Sequence, residues 1–376
     1  MSDHETAPTG RRATLADVAA AADVALSTAS RALSTPGRGS PATRERIERV
    51  AREIGYTSSS GRNGGRSRVV AVLVSDVTNP FYFGIIRGTQ QALRVAGYSQ
   101  LLVHTEESDE MEESMLAELR GSYDGAILAA SRLSDKRLAQ LSAQTPIVAL
   151  NRAVPGVPSV FIDTPHGFDQ AMEHLASLGH RRICYVAGPT NSWASDLRWR
   201  AVTSAAKRLG LECVRVGPFS PRKNAGAAAA DAALNTGATA CVAFNDLLAI
   251  GMLMRLRERG VRVPEDMSIV GCDDIFGADF CSPPLTTLTA PIEQAARMAV
   301  AILFDRLQAE RTVSGVPRHR QAAVLPTHLT VRASTGPVAD AGSGASSSRA
   351  GASSSSASAR PSASRRGASA STRGDR

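Results

Sequence analysis

Three short segments near the start of the chain repeat apolar residues at the spacing of an α-helix. Their apolar positions are Leu15, Val18, Ala19 and Ala22, then Ala29, Ala32 and Leu33, then Ile47, Val50, Ala51 and Ile54. Asp17 lies in the first turn of the first segment, where a carboxylate suits the helix dipole. Asp23 stands at the sharp turn that follows, because Asp tolerates the left-handed conformation. The pattern predicts a small all-α headpiece over residues 1–57.

From Val69 onward, short apolar runs alternate with amphipathic segments. The predicted strands are 69–74, 99–104, 125–129, 146–150, 183–187, 240–244 and 268–271. The first predicted helix passes through Ile85 and Leu93 and ends near Gly97. The other predicted helices are 110–120, 168–178, 198–209 and 247–259. Such alternation predicts parallel sheets covered by helices on both faces, an α/β domain over residues 69–333. Ligands of such sheets bind beyond the carboxyl ends of the strands.

Two further segments lack the apolar residues that a core needs. Residues 58–68 are rich in Ser, Gly and Arg, which predicts a flexible linker between the two domains. Residues 334–376 are mostly Ser, Ala, Gly and Arg, which predicts a disordered tail. An inert tail is favoured over one that touches DNA through its arginines.

Composition narrows the class of protein. A length of 376 residues suits two or three domains. The chain contains no apolar run of about 18 residues, so we expect no membrane span. The N-terminal residues include no apolar segment, so we expect no secretion signal. The five cysteines are scattered without a C-x-x-C pair, which favours reduced thiols over zinc or disulfides. We therefore expect a cytoplasmic protein without metal or cofactor. The net charge of +8 is compatible with a nucleic-acid partner.

The first two predicted helices resemble the helix-turn-helix of the LacI/GalR family of bacterial transcription regulators. The matching residues are Thr14, Asp17, Val18, Ala19, Ala22, Val24, Thr28, Ser30, Arg31 and Leu33. Further family landmarks stand at Asp76–Phe81, Tyr123–Gly125, Asn151–Arg152, Leu178–Ile183, Phe244–Asp246, Pro264–Ser268, Gly271–Asp274 and Pro283–Thr287. The resemblance implies an all-α helix-turn-helix headpiece plus an α/β periplasmic-binding-protein-like effector domain, with two lobes of parallel sheet that also mediate dimerisation.

The resemblance also assigns roles at the DNA end. It implies that Leu26, Ser27 and Arg31 read bases in the major groove, with Arg31 suited to a guanine edge. It implies that Thr14, Thr28, Ser30 and Thr43 contact phosphates. One headpiece buries too little surface for useful affinity, so a homodimer on a palindromic double-stranded operator is expected, with a tetramer as the alternative.

Two positions depart from the family pattern. Ala25 replaces a Ser that would cap the recognition helix, a loss of about 1 kcal/mol. Residues 57–66 replace the family hinge with Ser and Gly, and Gly disfavours helix by about 1 kcal/mol per residue. We therefore expect neither a stable hinge helix nor a leucine wedge in the minor groove.

At the ligand end, the resemblance places aromatic and planar polar side chains where a sugar effector would lie. The predicted effector residues are Asn79, Phe81, Tyr82, Asn151, Trp193, Arg198, Phe219, Asn245 and Asp273. Arg198 and Asp273 are expected to pair with each other. Phe81 and Phe219 could instead be core, and Asn245 or, preferably, Asp246 could cap the next helix. A sugar or sugar derivative is favoured, and a nucleobase, another polar metabolite or no effector stays open.

Other classes fit the sequence less well. A Rossmann-type enzyme needs a Gly-rich turn after its first strand, whereas residues 75–80 read Ser-Asp-Val-Thr-Asn-Pro. A solute-binding protein of a transporter would need a secretion signal and no headpiece. We expect a DNA-binding transcription regulator, a repressor and not an enzyme, that works on the bacterial nucleoid.

Overall fold

The computed structural model describes residues 13–34, 40–54, 56, 67–309 and 322–338. The predicted headpiece is a three-helix unit, with α1 over Leu15–Ala21, α2 over Leu26–Ser34 and α3 over Pro41–Glu53. Thr14 and Asp17 cap α1 reciprocally, and Asp23 has φ 49°, in the left-handed region that was expected at this turn. The core of the unit consists of Val18, Ala22, Ala32, Ile47, Val50 and Ala51, with Val24, Leu33 and Tyr56 packed against it.

The rest of the described chain builds an α/β domain. Its strands are β1 Val69–Val74, β2 Ser99–His104, β3 Gly125–Ala129, β4 Ile147–Leu150, β5 Ser159–Asp163, β6 Arg182–Val186, β7 Glu212–Val216, β8 Ala240–Ala243, β9 Ser268–Asp273, β10 Thr286–Thr289, β11 Ala322–Pro326 and β12 His328–Thr330. Its helices are α4 Phe81–Val95, α5 Asp109–Glu118, α6 Asp135–Gln144, α7 Thr164–Ser177, α8 Trp193–Leu209, α9 Gly226–Leu234, α10 Asp246–Glu258 and α11 Ile292–Ala309.

These elements form two lobes, each around one six-stranded sheet. The first lobe has the strand order β11-β5-β4-β3-β1-β2, and the second has β12-β10-β9-β8-β6-β7. Every strand pair is parallel except β10 with β12. The central strands are almost completely buried, as sheets with helices on both faces require. The predicted fold class, a helical headpiece with a two-lobed α/β domain, is confirmed.

The chain crosses between the lobes three times, where β5 leads into α7, β10 into α11 and β11 into β12. At these crossings, the Thr327 hydroxyl donates to the Asp163 carbonyl over 2.8 Å. The third crossing returns the chain to the second lobe after α11, which packs against α4 in the first lobe. The resemblance implies that several crossing strands join the lobes, but β10, α11, β11 and β12, which build this return, were not predicted.

The ordered domain continues past the boundary predicted at residue 333. Ser334 is fully buried and its hydroxyl donates to the Ile269 carbonyl over 2.6 Å. The buried His180 ring lies 3.1 Å from the Gly336 carbonyl oxygen, and the Val338 N–H donates to Leu178. Residues 334–338 therefore belong to the second lobe and not to the tail, because backbone and hydroxyl groups here find partners within it. The remaining tail, 339–376, and the linker residues 58–66 lie outside the described residues.

No helix among the described residues is long and apolar enough to cross a membrane. Within the same ranges, no group of three or more His, Cys, Asp or Glu side chains is arranged to hold a metal ion. All five cysteines are free thiols, and Cys184, Cys241 and Cys272 are buried.

Candidate functional site

Helix α2 presents a mixed polar and apolar face to solvent. Ala29 and Ala32 point into the headpiece core, which leaves Ser27, Thr28 and Arg31 exposed. Leu26 is 54% exposed at the start of the helix, an apolar side chain that the headpiece core does not cover. Small hydroxyls, one guanidinium and one exposed apolar side chain on one helix can contact base edges in a major groove. This face contains the three side chains predicted to read bases.

The side chains predicted to contact phosphate have mixed surroundings. The Thr14 hydroxyl donates to the Asp17 carboxylate over 2.7 Å and is therefore part of the α1 cap. Ser30 and Thr43 are half-buried, whereas Thr28 is exposed. The Arg31 Nε donates to the Ser27 carbonyl of its own helix over 3.3 Å, which keeps its guanidinium along the exposed face.

A second candidate site lies in the cleft between the lobes, at the carboxyl ends of the strands. It encloses a cavity of about 50 Å³. The predicted residues that line it are Asn79, Phe81, Tyr82, Asn151, Arg198, Asn245 and Asp273. The lining residues that the sequence analysis did not name as effector contacts are Glu107, Ala130, Arg132, Ser192, Ala194, Pro221 and Phe244. The topology thus brings seven of the nine predicted residues together.

Several lining residues have backbone conformations that L-amino acids rarely adopt. Glu107, Ala130 and Asn151 follow β2, β3 and β4 with φ of 61°, 53° and 58°. Asp273, at the end of β9, has φ 115°. Such conformations cost free energy and cluster at binding and catalytic sites, because the surrounding structure must hold them. The strand ends are therefore shaped to turn these side chains toward the cleft.

Arg198 and Asp273 form the buried ion pair that was expected in the second lobe. The Arg198 Nη2 lies 3.3 Å from Asp273 Oδ1, and its Nη1 donates to the Phe244 carbonyl. The guanidinium carbon also lies 4.6 Å from the centre of the Phe244 ring. Burial raises the pKa of Asp273, and the neighbouring guanidinium opposes that rise. The pair presents one cation and one carboxylate to the cavity.

At the start of α10, Asn245 and Asp246 have different hydrogen-bond partners, and the sequence did not decide which of them caps the helix. Asn245 is the helix cap, since its Oδ1 accepts from the Leu248 N–H over 3.0 Å. Asp246 accepts instead from the Ile275 N–H over 2.9 Å and from the Thr287 hydroxyl. Burial raises the pKa of Asp246 to about 7. The preferred assignment of the cap to Asp246 was wrong, because its carboxylate ties α10 to β10 and to the turn after β9.

The predicted aromatic side chains divide into two pairs. Phe81 and Tyr82 line the cavity while they also belong to the first-lobe core, where their ring centres are 5.2 Å apart. Phe219 packs against the second-lobe core and does not line the cavity. Trp193 does not line the cavity either. Its ring packs edge-on against Phe161 of the first lobe, with the ring centres 5.5 Å apart. Phe219 thus fits the core alternative, and Trp193 is a contact between lobes.

The mouth of the cleft has a polar contact that sequence reasoning missed. Arg222 of the second lobe donates from Nε to the Asp76 carboxylate of the first over 3.0 Å. Burial acts to raise the pKa of Asp76, but hydrogen bonds from Thr78 and the charge of Arg222 bring it below its usual value. Asn191 also donates across the mouth to the Glu107 carbonyl over 3.4 Å. These contacts hold the lobes together beside the cavity.

A larger concavity of about 860 Å³ lies elsewhere, between α4, the start of α11 and the turn after β9. Phe83 and Phe276 contribute exposed rings to it, and Phe280 stacks edge-on against Phe276 at 5.0 Å. It is open to solvent, and among the described residues it shares none with the cleft cavity. An open apolar surface of this kind suits a protein partner better than a small ligand.

Comparison with known proteins gives matches to both domains. The family described as bacterial regulatory proteins, lacI family, matches residues 14–59, and the periplasmic binding protein-like domain matches residues 172–335. The transcriptional repressor CytR of Escherichia coli K12 is 33% identical over 334 residues, covering 86% of this chain and 96% of CytR.

Two solved structures share the whole architecture. The regulator CelR in complex with cellobiose has a TM-score of 0.63 at 33% identity and covers 86% of this chain and 100% of that one. The lac repressor dimer bound to operator and the anti-inducer ONPF has a TM-score of 0.65 at 25% identity, with coverage of 87% and 100%. Both domains of this chain therefore have counterparts within single relatives.

Proposed function

This chain belongs to the lacI family of bacterial regulatory proteins, which are DNA-binding transcription regulators, and from that premise we propose the details of its action. A homodimer binds a palindromic operator through α2 of each headpiece and represses transcription there. A sugar or sugar derivative in the cleft between the lobes sets the affinity for DNA. The protein acts in the bacterial cytoplasm, on the nucleoid, and catalyses no reaction.

The exposed face of α2 is the observation that supports the DNA-binding proposal. Arg31 has the reach and the paired donors for a guanine edge, and Leu26 for a thymine methyl group. Ser27 completes the base-reading set, while Thr28, Ser30 and Thr43 contact phosphates. We also propose Thr14 as a phosphate contact at the start of α1, a helix that it caps together with Asp17.

The dimer proposal is supported by the open concavity beside α4 and α11. A single headpiece presents too few contacts for useful affinity, so two must act together. The rings of Phe83, Phe276 and Phe280 lie exposed there, and a second copy of the chain would cover them. The relative whose structure is described as a lac repressor dimer bound to operator supports the same arrangement.

The effector proposal is supported by the polar lining of the cleft. Asn79, Asn151, Arg198, Asn245 and Asp273 converge on one cavity with both donors and acceptors, as the hydroxyls of a sugar require. The cavity of about 50 Å³ is far below the roughly 300–1,000 Å³ of ligand pockets. A sugar therefore enters only if the lobes separate at the Asp76–Arg222 contact, which gives the ligand a means to change the arrangement of the lobes.

Replacing Arg31 tests the DNA-binding proposal. We expect Arg31→Ala in the full chain to lose about 1–3 kcal/mol of discrimination at one base pair of each half-site. Operator selection followed by binding to single-base variants measures this loss. Arg94→Ala, which removes an exposed arginine at the end of α4, is the matched control and should leave discrimination unchanged. Equal loss on every sequence would mean that Arg31 contacts only phosphate.

Thermal unfolding with added sugars tests the effector proposal. A ligand at 100 times its dissociation constant stabilises the folded state by about 2.7 kcal/mol. We expect such a shift with at least one sugar, and a change of operator affinity with the same sugar. A sugar that shifts unfolding but leaves operator affinity unchanged would contradict the regulatory part of the proposal.

A further inference from the structure

The first-lobe wall of the cleft contains a second guanidinium–carboxylate pair, formed by Arg132 and Glu107. The Arg132 side chain is only 6% exposed, and its Nη2 lies 3.7 Å from Glu107 Oε1, beyond hydrogen-bond distance. Its Nε is buried and has no hydrogen-bond partner among the described residues. A guanidinium carries five N–H donors, and burying them without acceptors is costly. Arg132 lines the cavity, so a ligand there can offer an acceptor to the guanidinium, whose Nη2 stays beyond hydrogen-bond distance of Glu107.

The backbone beside Arg132 is fixed from both sides. Arg152 donates to the carbonyls of Ser131 and Leu133, the two neighbours of Arg132, over 2.7 and 2.5 Å. The N–H of Arg132 itself donates to the buried Glu112 carboxylate over 3.0 Å. A buried arginine and a buried carboxylate thus hold the backbone of residues 131–133 in place. This arrangement positions the Arg132 side chain before any ligand arrives, which lowers the entropy lost on binding.

Glu107 is fixed in a similar way. Its N–H donates to the Ser75 carbonyl over 3.1 Å, and its carbonyl accepts from Asn191 of the other lobe. Its backbone has φ 61°, which turns the side chain toward the cavity that it lines. Both members of the pair therefore have fixed positions, after β2 and β3, the two strands that flank β1.

The charges that line the cavity balance one another. Arg132 and Arg198 contribute two cations, and Glu107 and Asp273 two carboxylates. A phosphate or carboxylate on a ligand would find no cation without a carboxylate beside it, and would lose its hydration. Neighbouring hydroxyls fit better, since each can accept from a guanidinium and donate to a carboxylate.

We propose that Glu107 and Arg132 bind hydroxyl groups of the effector opposite Arg198 and Asp273, so that the effector is an uncharged polyhydroxyl molecule. The inference rests on the proposed function of the cleft and names the chemical class of its ligand. A free sugar and a nucleoside share this chemistry, whereas a sugar phosphate or a sugar acid does not. The ligand spans the cleft, with one pair from each lobe at its two ends.

Matched neutral and charged probes test this inference on the full chain. The probes are ribose with ribose 5-phosphate, cellobiose with cellobionate, and uridine with uridine 5′-monophosphate, titrated by calorimetry. We expect at least one neutral probe to bind, and its charged counterpart to bind about tenfold more weakly or worse. Binding of ribose or cellobiose identifies the free sugars as the source, and binding of uridine alone identifies nucleosides.

Variants locate the effect at the pair. Glu107→Gln and Arg132→Gln should each weaken binding of the neutral probe about tenfold or more. The control variants Glu212→Gln and Arg182→Gln remove an exposed pair on the other lobe and should leave binding unchanged. Glu107→Gln keeps the test decisive if Arg132→Gln fails to fold.

Two results would overturn the inference in distinguishable ways. If a neutral probe binds and both cleft variants bind it equally well, or if a charged probe binds more tightly, this assignment fails and the proposed function stands. If no probe, neutral or charged, binds the wild-type chain, the inference and the sugar effector fail together, while Arg31-dependent operator binding still tests the DNA end.

Discussion

The headpiece and the effector domain place their candidate sites in opposite ways. In the headpiece, every candidate DNA contact lies between Thr14 and Thr43, and one face of α2 is exposed over a core of six buried residues. In the effector domain, the candidate contacts are spread from Asn79 to Asp273 and most are buried. The resemblance assigns both sets, but three short consecutive helices place the first, whereas the second set comes together only after two sheets have formed. The first site is therefore a local property of the chain and the second a property of the topology.

This difference has an energetic counterpart. A three-helix unit with a small alanine-rich core buries little surface and is marginally stable. The effector domain has four separate clusters of buried apolar side chains. Substitutions in the two regions should therefore be separable by measurements that report on each. Both tryptophans, Trp193 and Trp199, lie in α8, so tryptophan fluorescence reports on the effector domain alone.

Asp273→Ala is expected to give the largest difference between its effects on the stability of the effector domain and of the headpiece. The substitution leaves the Arg198 guanidinium buried without its carboxylate, and breaking a buried pair in this way costs about 3–5 kcal/mol. Urea unfolding followed by tryptophan fluorescence measures the loss. Native-state hydrogen exchange of the amides in α1, α2 and α3 should stay at the wild-type rates.

An exposed pair provides the control for this prediction. Glu212→Gln breaks the contact between Arg182 and Glu212, whose side chains are 44% and 56% exposed, and such pairs contribute about 0–1 kcal/mol. If Asp273→Ala costs no more than this control, the ion pair does not hold the cleft wall. If Asp273→Ala also accelerates hydrogen exchange in the headpiece, the two regions are coupled and their stabilities are not separable.

The second prediction concerns pH and the buried Asp246. Its folded-state pKa of about 7 lies above the usual 3.8, so the folded state binds a proton more tightly than the unfolded state does. The stability that this group contributes is fully present below pH 3.8 and is lost as the pH rises to about 7. Each unit of displacement corresponds to about 1.4 kcal/mol. At higher pH the buried carboxylate opposes folding.

Asp246→Asn removes this titration and keeps an acceptor for the Ile275 N–H. We expect the stability of the variant relative to wild type to rise between pH 4 and pH 7, as measured by the tryptophan-monitored unfolding midpoint. The exposed Asp279→Asn serves as the control, because it makes the same chemical change away from the buried site. A constant difference for Asp246→Asn would show that its carboxylate does not titrate in this range.

Much of the fold could be predicted because its strands are continuous apolar runs. β1 reads Val-Val-Ala-Val-Leu-Val and is buried along nearly its whole length, as the sequence suggested. By contrast, β10 reads Thr-Thr-Leu-Thr and β12 has three residues with two polar ones, so neither has an apolar run. They are strands because they pair at the edge beside β9, which is information that local periodicity does not contain.

The same limit explains which cleft residues were predicted. Arg198 and Asp273 were found through the resemblance, and the structure joins them across 75 positions of sequence. Glu107 stands in an acidic run that looks solvated, and Arg132 has no distinctive neighbours. The position of Glu107 and Arg132 in the sequence could have identified them, because each follows a predicted strand and so lies at the carboxyl edge of the sheet, where ligands bind. Trp193 does not line the cavity, and its contact with Phe161 could not be predicted without knowing that the lobes meet there.

The smallest effect is expected at the start of α2. The Ala25 carbonyl accepts from the N–H groups of Thr28 and Ala29, which makes Ala25 the residue that caps the helix without a side-chain acceptor. A serine hydroxyl at this position can accept from the Thr28 N–H, and such caps contribute about 1 kcal/mol. Ala25→Ser should therefore raise the free energy of opening of the α2 amides by about 1 kcal/mol, measured by native-state hydrogen exchange.

Ala20→Ser places the same hydroxyl at an exposed position inside α1, where it caps nothing, and should give no such gain. The tryptophan-monitored unfolding midpoint should be the same in both variants, because neither touches the effector domain. A gain that is equal in both would assign the effect to the hydroxyl itself and not to the cap. A shift of the effector-domain unfolding midpoint with Ala25→Ser alone would mean that the stability of α2 is coupled to that of the effector domain. The DNA site would then not be a purely local property of the chain.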